Sequence, residues 1–178
     1  LLALFLAHPN FGANIGGGIT AWLGLGVTNY FFLKRPVGWR ELLKLVLGLL
    51  LMLAFIGYWD LSMAGQATHF GRFIETVREK GCSTLLQMML GKLELNLHLI
   101  QYTPLAKLLL VILLVIPVLS KRPPQCFSRL AQEQRQIVKG IQGLSFTAFV
   151  ALLFNDSGIV SVATMFIFGL NLLFLLLF

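Results

Sequence analysis

Apolar residues run almost unbroken over Ile15 to Leu33, Leu45 to Trp59, Ile141 to Phe154 and Ile159 to Phe178, with polar residues gathered between the runs. A surface helix would show a polar face at regular spacing, so these runs predict helices that cross a bilayer, whose hydrocarbon takes about 20 apolar residues. The third run is short. It either recruits Ile137 and Val138 below or leaves Asn155 to Gly158 within the outer part of the membrane. Lys34, Arg35 and Pro36 end the first run, because charge leaves the bilayer and Pro disfavours a continuing helix. Tyr58 and Trp59 close the second at the headgroup level, where aromatic rings are favoured and Asp60 can reach water. Asp60 is therefore expected as a helix-end residue and not as a buried charge. Leu1 to Ala7 is too short to cross, and the chain opens on it without a Met, which predicts a truncated helix in a fragment of a longer chain.

The stretch from Leu61 to Tyr102 contains no obvious span. From Thr68 to Lys80, Phe70, Phe73, Ile74 and Val77 recur at helical spacing opposite Arg72, Glu75, Arg78, Glu79 and Lys80, and Gly81 can stop the helix. This predicts an amphipathic helix at the membrane interface. Lys92 to Leu99 alternates as a strand would, yet Leu86, Leu90, Leu93, Leu97 and Ile100 share a helical face, and length with Leu and Met content predicts a helix over Leu85 to Gln101. Gln87, Gly91, Glu94, His98 and Gln101 form one polar stripe on it, either facing a lumen or forming the wet side of a surface helix. If this helix crossed, the next one, Leu105 to Ser120, would place Lys121 to Lys139 on the wrong side, so the non-spanning reading is preferred. The predicted fold class is all-α: a polytopic transmembrane helix bundle with four complete spans plus one truncated span and interfacial amphipathic helices. Residues 1–178 form a single transmembrane domain, and 61–102 an extracytoplasmic interfacial insertion.

Composition agrees, since 57% hydrophobic and 12% charged residues leave too little polar surface for a soluble domain. In a soluble protein a net charge of +7 would point to nucleic acid. Here the excess lies in loops 34–44 and 121–140, with Glu41 and Glu133 as their carboxylates, so it reads as topology and no nucleic-acid partner is expected. Both loops are expected in the cytoplasm and the lipid bilayer is the expected partner. Cys82 then falls outside and Cys126 inside, which excludes a disulfide between them, and neither has a neighbour at metal-ligand spacing.

That orientation brings His8 to Asn14, Asp60 onward and Asn155 to Gly158 to one outer face. Polar residues near hydrocarbon are costly, about 2.5 to 3.5 kcal/mol for Asp at the centre of a span, so His8, Asn14, Asp60, Asn155, Asp156 and Ser157 form a candidate polar site. Turn preference alone explains Asn155 to Gly158. The alternative is that Asp156, with Asn155 and Ser157, holds a cation or a headgroup, although three oxygens fall short of a full cation site. The glycines from Gly12 to Gly18 resemble a phosphate cradle, but no Lys-Ser/Thr follows, and Gly12 with Gly16 makes a small-residue pair for which helix packing is favoured. His8, His69 and His98 have no ligand spacing, and no cofactor is evident in this chain.

The strings His8-Pro9-Asn10-Phe11-Gly12-Ala13-Asn14-Ile15-Gly16-Gly17-Gly18-Ile19-Thr20 and Phe154-Asn155-Asp156-Ser157-Gly158-Ile159-Val160-Ser161-Val162-Ala163-Thr164 resemble paired signatures in the C-terminal membrane portion of large bacterial membrane proteins. Those proteins are of the alkaline-phosphatase-like or phosphoglyceromutase-like kind. The resemblance covers these strings and the order of spans, not Leu61 to Tyr102. It implies an extracytoplasmic domain of that superfamily upstream, a divalent metal in that domain, a bacterial inner-membrane location and a lipid-linked or phosphorylated substrate. Asn14, Asn155, Asp156 and Ser157 carry over as signature positions, whereas no metal ligand or nucleophile of such a domain has a counterpart here. Two other functions compete: a transporter with a polar site between the helix breaks near Asn14 and Asn155, and a structural anchor without a ligand.

Overall fold

The structure, a computed structural model, describes residues 1–33, 38–62, 69–81, 83–109, 111 and 132–177. They form α1 (Leu2–Ala7), α2 (Ile15–Phe32), α3 (Trp39–Ser62), α4 (His69–Lys80), α5 (Ser83–Tyr102), α6 (Arg135–Phe154) and α7 (Gly158–Leu177). Residues 104–109 are helical as well. Among the described residues there is no strand, and Lys92 to Leu99 lies inside α5.

The α2–α6 pair forms the centre of the bundle. The two run antiparallel, with Gly16 against Phe154 and Asn155, Gly24 against Thr147, and Gly143 against Thr28. A Cβ at any of these glycines would overlap the facing residue, so the backbones approach as closely as only small residues permit. Thr28 Oγ1 donates to the Gly24 carbonyl at 2.6 Å and Thr147 Oγ1 to the Gly143 carbonyl at 2.7 Å, which satisfies both hydroxyls inside the contact.

Around this pair, α1 lies on α2 with Ala3 and Ala7 against Gly18, and the Trp22 indole covers Gly48 of α3 while donating to the Leu45 carbonyl at 3.0 Å. Ala3, Ala7, Met52 and Ile56 are buried together here. On the other side Ala148 and Ala151 of α6 and Ile159, Val162 and Ala163 of α7 bury Ala106 and Leu109. Elsewhere the surface is apolar: Leu47, Leu50, Leu51 and Phe55 of α3 and Phe168, Phe174 and Leu175 of α7 are exposed. This is the inverse of a soluble domain and fits a bundle whose solvent is hydrocarbon.

Among the described residues three helices are long and apolar enough to cross a membrane, namely α3, α6 and α7 up to Leu176. The chain is thus a membrane-embedded domain with several spans. The expected four complete spans plus one truncated span are not reached among the described residues. The 18 residues of α2 include Gly16, Gly17, Gly18, Gly24 and Gly26, which dilute its apolar character, and most of Leu105 to Ser120 lies outside the described residues.

Phe32 lies beside Gly140, while Gly16 lies beside Asn155 at the opposite end. The end of α2 and the start of α6 therefore share one end of the bundle. Lys34, Arg35, Lys121, Arg122, Arg129, Cys82 and Cys126 lie outside the described residues. Arg40, Lys44, Arg135 and Lys139 are described, each near the start of α3 or α6.

Candidate functional site

Residues 8–14 fold back over the end of α1 and use its last carbonyls. The amides of Gly12, Asn14 and Ala13 donate to the carbonyls of Phe5 at 3.3 Å, Leu6 at 2.9 Å and His8 at 3.0 Å. The reversal places Ala13 at a φ of 48°, and Gly12 sits so close to the Leu6 backbone that a Cβ would overlap it. Asn14 then caps α2, its Oδ1 accepting from the Gly17 amide at 2.7 Å. The glycines here serve close approach, of Gly12 to Leu6, of Gly16 to the Phe154 carbonyl and of Gly18 to Ala7. His8 accepts from the Asn10 amide through Nδ1 at 3.2 Å, and its ring lies 5.5 Å from that of Trp59.

Asp60 departs from its expectation. It stands in the last turn of α3 but is only 1% exposed, and its Oδ2 accepts from the Gly71 amide at 2.7 Å. The start of α4 folds over the carboxylate because its first amides have no partners within that helix and an anion suits them. Phe70 and Ile74 close over Gly57 one turn below. The residue is thus a buried capping charge at a helix end, not one that reaches water.

At the α6–α7 turn, Asn155 Nδ2 donates to Ser161 Oγ at 3.1 Å, and the Ser157 carbonyl accepts from the Ser161 amide at 2.9 Å as α7 begins. The Ser157 side chain is exposed. Asp156 pairs with Lys92 of α5 at 2.9 Å, and its side chain is 83% exposed. Lys92 Nζ also donates to the Phe154 carbonyl at 2.8 Å. One helical turn on, Asn96 is 4% exposed, donating from Nδ2 to the Leu152 carbonyl at 3.2 Å and accepting at Oδ1 from the Ile159 amide at 3.0 Å. A single amide thus ties the last turn of α6 to the first turn of α7.

The structure brings residues 8–14 and the 155–158 turn to one end, through Gly16 on Asn155, and brings His8 to Trp59, the neighbour of Asp60. Asn14, Asn155 and Asp156 each engage a partner outside the six candidates. Sequence reasoning missed Lys92 and Asn96. Their signal was a polar pair four residues apart on a Leu-rich helix, hidden beside the more conspicuous stripe of Gln87, Gly91, Glu94, His98 and Gln101, every member of which is exposed. Among the described residues no group of three His, Cys, Asp or Glu side chains is arranged to hold a metal ion.

Fold and site together define a class, a membrane-embedded helical domain whose polar residues at one end fasten helix termini to one another. No family model, curated protein or solved structure matches the chain.

Proposed function

We propose that this chain is the membrane platform of a bacterial inner-membrane protein, anchoring and serving an attached or partner extracytoplasmic domain of the alkaline-phosphatase-like kind. In this reading the end that carries Asn14, Asn155, Asp156 and Ser157 is the outer one, and it presents a lipid-linked or phosphorylated substrate to that domain. The observation that supports it most is the clamp of Lys92 and Asn96 over the α6–α7 turn. The clamp holds an exposed carboxylate, Asp156, at a fixed place on the membrane surface. A rigid, ordered polar end suits a docking platform; a transport site would instead need polar groups open to a solute, and Asn96, Asn155 and Asp60 are engaged with protein partners.

The test is Asp156→Ala in the host protein. The expected result is normal insertion with loss of the host's activity, and full activity in a correctly inserted variant rejects the reading. The ligand-free anchor is the second reading, favoured by the same internal engagement of the polar side chains. Replacing the bundle by an unrelated anchor with activity retained would establish it.

A further inference from the structure

Contacts along one side of α5 run steadily down from the α6–α7 turn. Lys92 reaches Phe154 and Asp156, and Asn96, one turn on, reaches Leu152 and Ile159. Leu99 and Ile100 then pack on the α6–α7 cluster of Ala148, Ala151, Val162 and Ala163, in which Ala106 and Leu109 are buried. Ala148 precedes the end of α6 by more than a turn and Val162 follows the start of α7 by a turn. Since α6 and α7 are long and apolar enough to cross the membrane, the second half of α5 descends beside two spans.

The side of α5 opposite these contacts is exposed. Gln87, Gly91, Glu94, His98 and Gln101 follow one another at alternate steps of four and three residues. That is the period of about 3.5 residues along which one helix meets another. Met88 and Leu95 border this row on one side and Leu90 and Leu97 on the other, each between 43% and 66% exposed. A helix face turned to water is broad and polar at its flanks, whereas one polar row between two apolar rows fits a helix with hydrocarbon on either side and protein along the row. Among the described residues Gln87, Glu94, His98 and Gln101 have no polar partner on another helix, and the His98 ring meets Tyr102 of its own helix at 4.9 Å. A carboxylate, an imidazole and an amide left against lipid are costly, so the row needs a polar cover.

We infer that α5 pairs with α5 of a second copy of this chain in the same membrane, with Gln87, Gly91, Glu94, His98 and Gln101 as the seam on a two-fold axis along the membrane normal. Two copies inserted in the same sense present parallel α5 helices, and the two-fold axis makes every contact reciprocal. In a parallel seam of this period Glu94 sits against the partner's His98, and His98 against the partner's Glu94 and the partner's Gln101. The imidazole donates to the carboxylate, and amides both donate and accept, so the row satisfies itself. This complementarity selects a second copy over an unrelated helix, which would need a matching row of its own. Gly91, where an added Cβ meets nothing within 4 Å, leaves room for the partner's backbone. The second half of α5 then lies within the membrane and not at the interface expected for all of 61–102. The pairing depends on the membrane-embedded fold and on no role for Asp156, so its failure and that of the platform reading are separate.

Disulfide trapping of the full chain in phosphatidylcholine and phosphatidylglycerol vesicles tests it, in a Cys82→Ser, Cys126→Ser background. Single cysteines replace Gln87, Gly91 or Gln101 in the seam and Leu86 or Leu93 outside it. Covalent dimers are expected at several-fold higher yield from the seam positions, and equal yields from the two sets, or none from the seam, overturn the inference. Energy transfer between donor- and acceptor-labelled copies with an intact seam gives the affinity as the vesicles are diluted with lipid. Glu94→Leu with His98→Leu is expected to raise the dissociation constant about tenfold, because leucine gains nothing by leaving lipid for another leucine. The swap Glu94→His with His98→Glu keeps both members of the pair and is expected to recover most of the affinity. A chain that stays monomeric at every dilution, or a double-leucine variant that associates as tightly as the original, overturns the pairing.

Discussion

Asn96 shows what a single side chain contributes where water is scarce. The last carbonyls and first amides of any helix lack partners within it, and leaving such groups bare in a low-dielectric setting is costly. Its amide donates to Leu152 and accepts from Ile159, filling one vacancy at each of two helix ends. Asn96→Leu keeps the branching at Cγ and removes both bonds, so it is expected to lower stability by about 1 to 3 kcal/mol, read from unfolding in mixed micelles. The Asp156 to Lys92 pair is different in kind, since the carboxylate is 83% exposed and such pairs contribute little. Its value is positional, which is why its test above is activity and not stability.

Between helices, the decisive feature is the row of glycines and threonines that brings α2 and α6 together. Gly143 faces Thr28 so closely that a Cβ cannot be accommodated without displacing the threonine. Gly143→Ala is expected to destabilise the bundle by about 1 to 3 kcal/mol through overpacking. Gly91 in the middle of α5 is the contrast, because nothing lies within 4 Å of an added Cβ. Gly91→Ala is expected to stabilise by about 0.5 to 1 kcal/mol, since alanine loses less chain entropy in a helix than glycine. Parallel unfolding curves of the two variants check both signs. The glycine cluster from Gly12 to Gly18 was legible in the sequence as a packing signature, but Gly143 was not, nor were Thr28 and Thr147, which carry no pattern that distinguishes an interface threonine from any other.

For the molecule as a whole, the placement of the two ends matters most. Phe32 beside Gly140 puts the end of α2 and the start of α6 together, and Gly16 beside Asn155 does the same at the other end. Cationic residues flank the first of these ends, including Arg40 and Lys44 at the start of α3 and Arg135 and Lys139 at the start of α6. Loops rich in Lys and Arg are retained in the cytoplasm. In intact cells, an impermeant maleimide is therefore expected to label a cysteine placed at Ser157 and to spare one placed at Gln132 until the membrane is permeabilised. The reverse pattern would place Asp156 and α5 in the cytoplasm.

Hydrophobic length and charge placement were enough to establish that this chain is helical and lies in a membrane. Those properties follow from transfer free energies that each segment carries by itself, whatever it packs against. The buried state of Asp60 was not legible, because it depends on the start of α4 closing over the end of α3, a contact between segments that hydropathy treats one at a time. Nor were Lys92 and Asn96, whose partners lie on α6 and α7, dozens of residues away in the chain. A helix end has the same unmet carbonyls and amides whatever the sequence, so which distant side chain fills them is decided only when the helices are assembled.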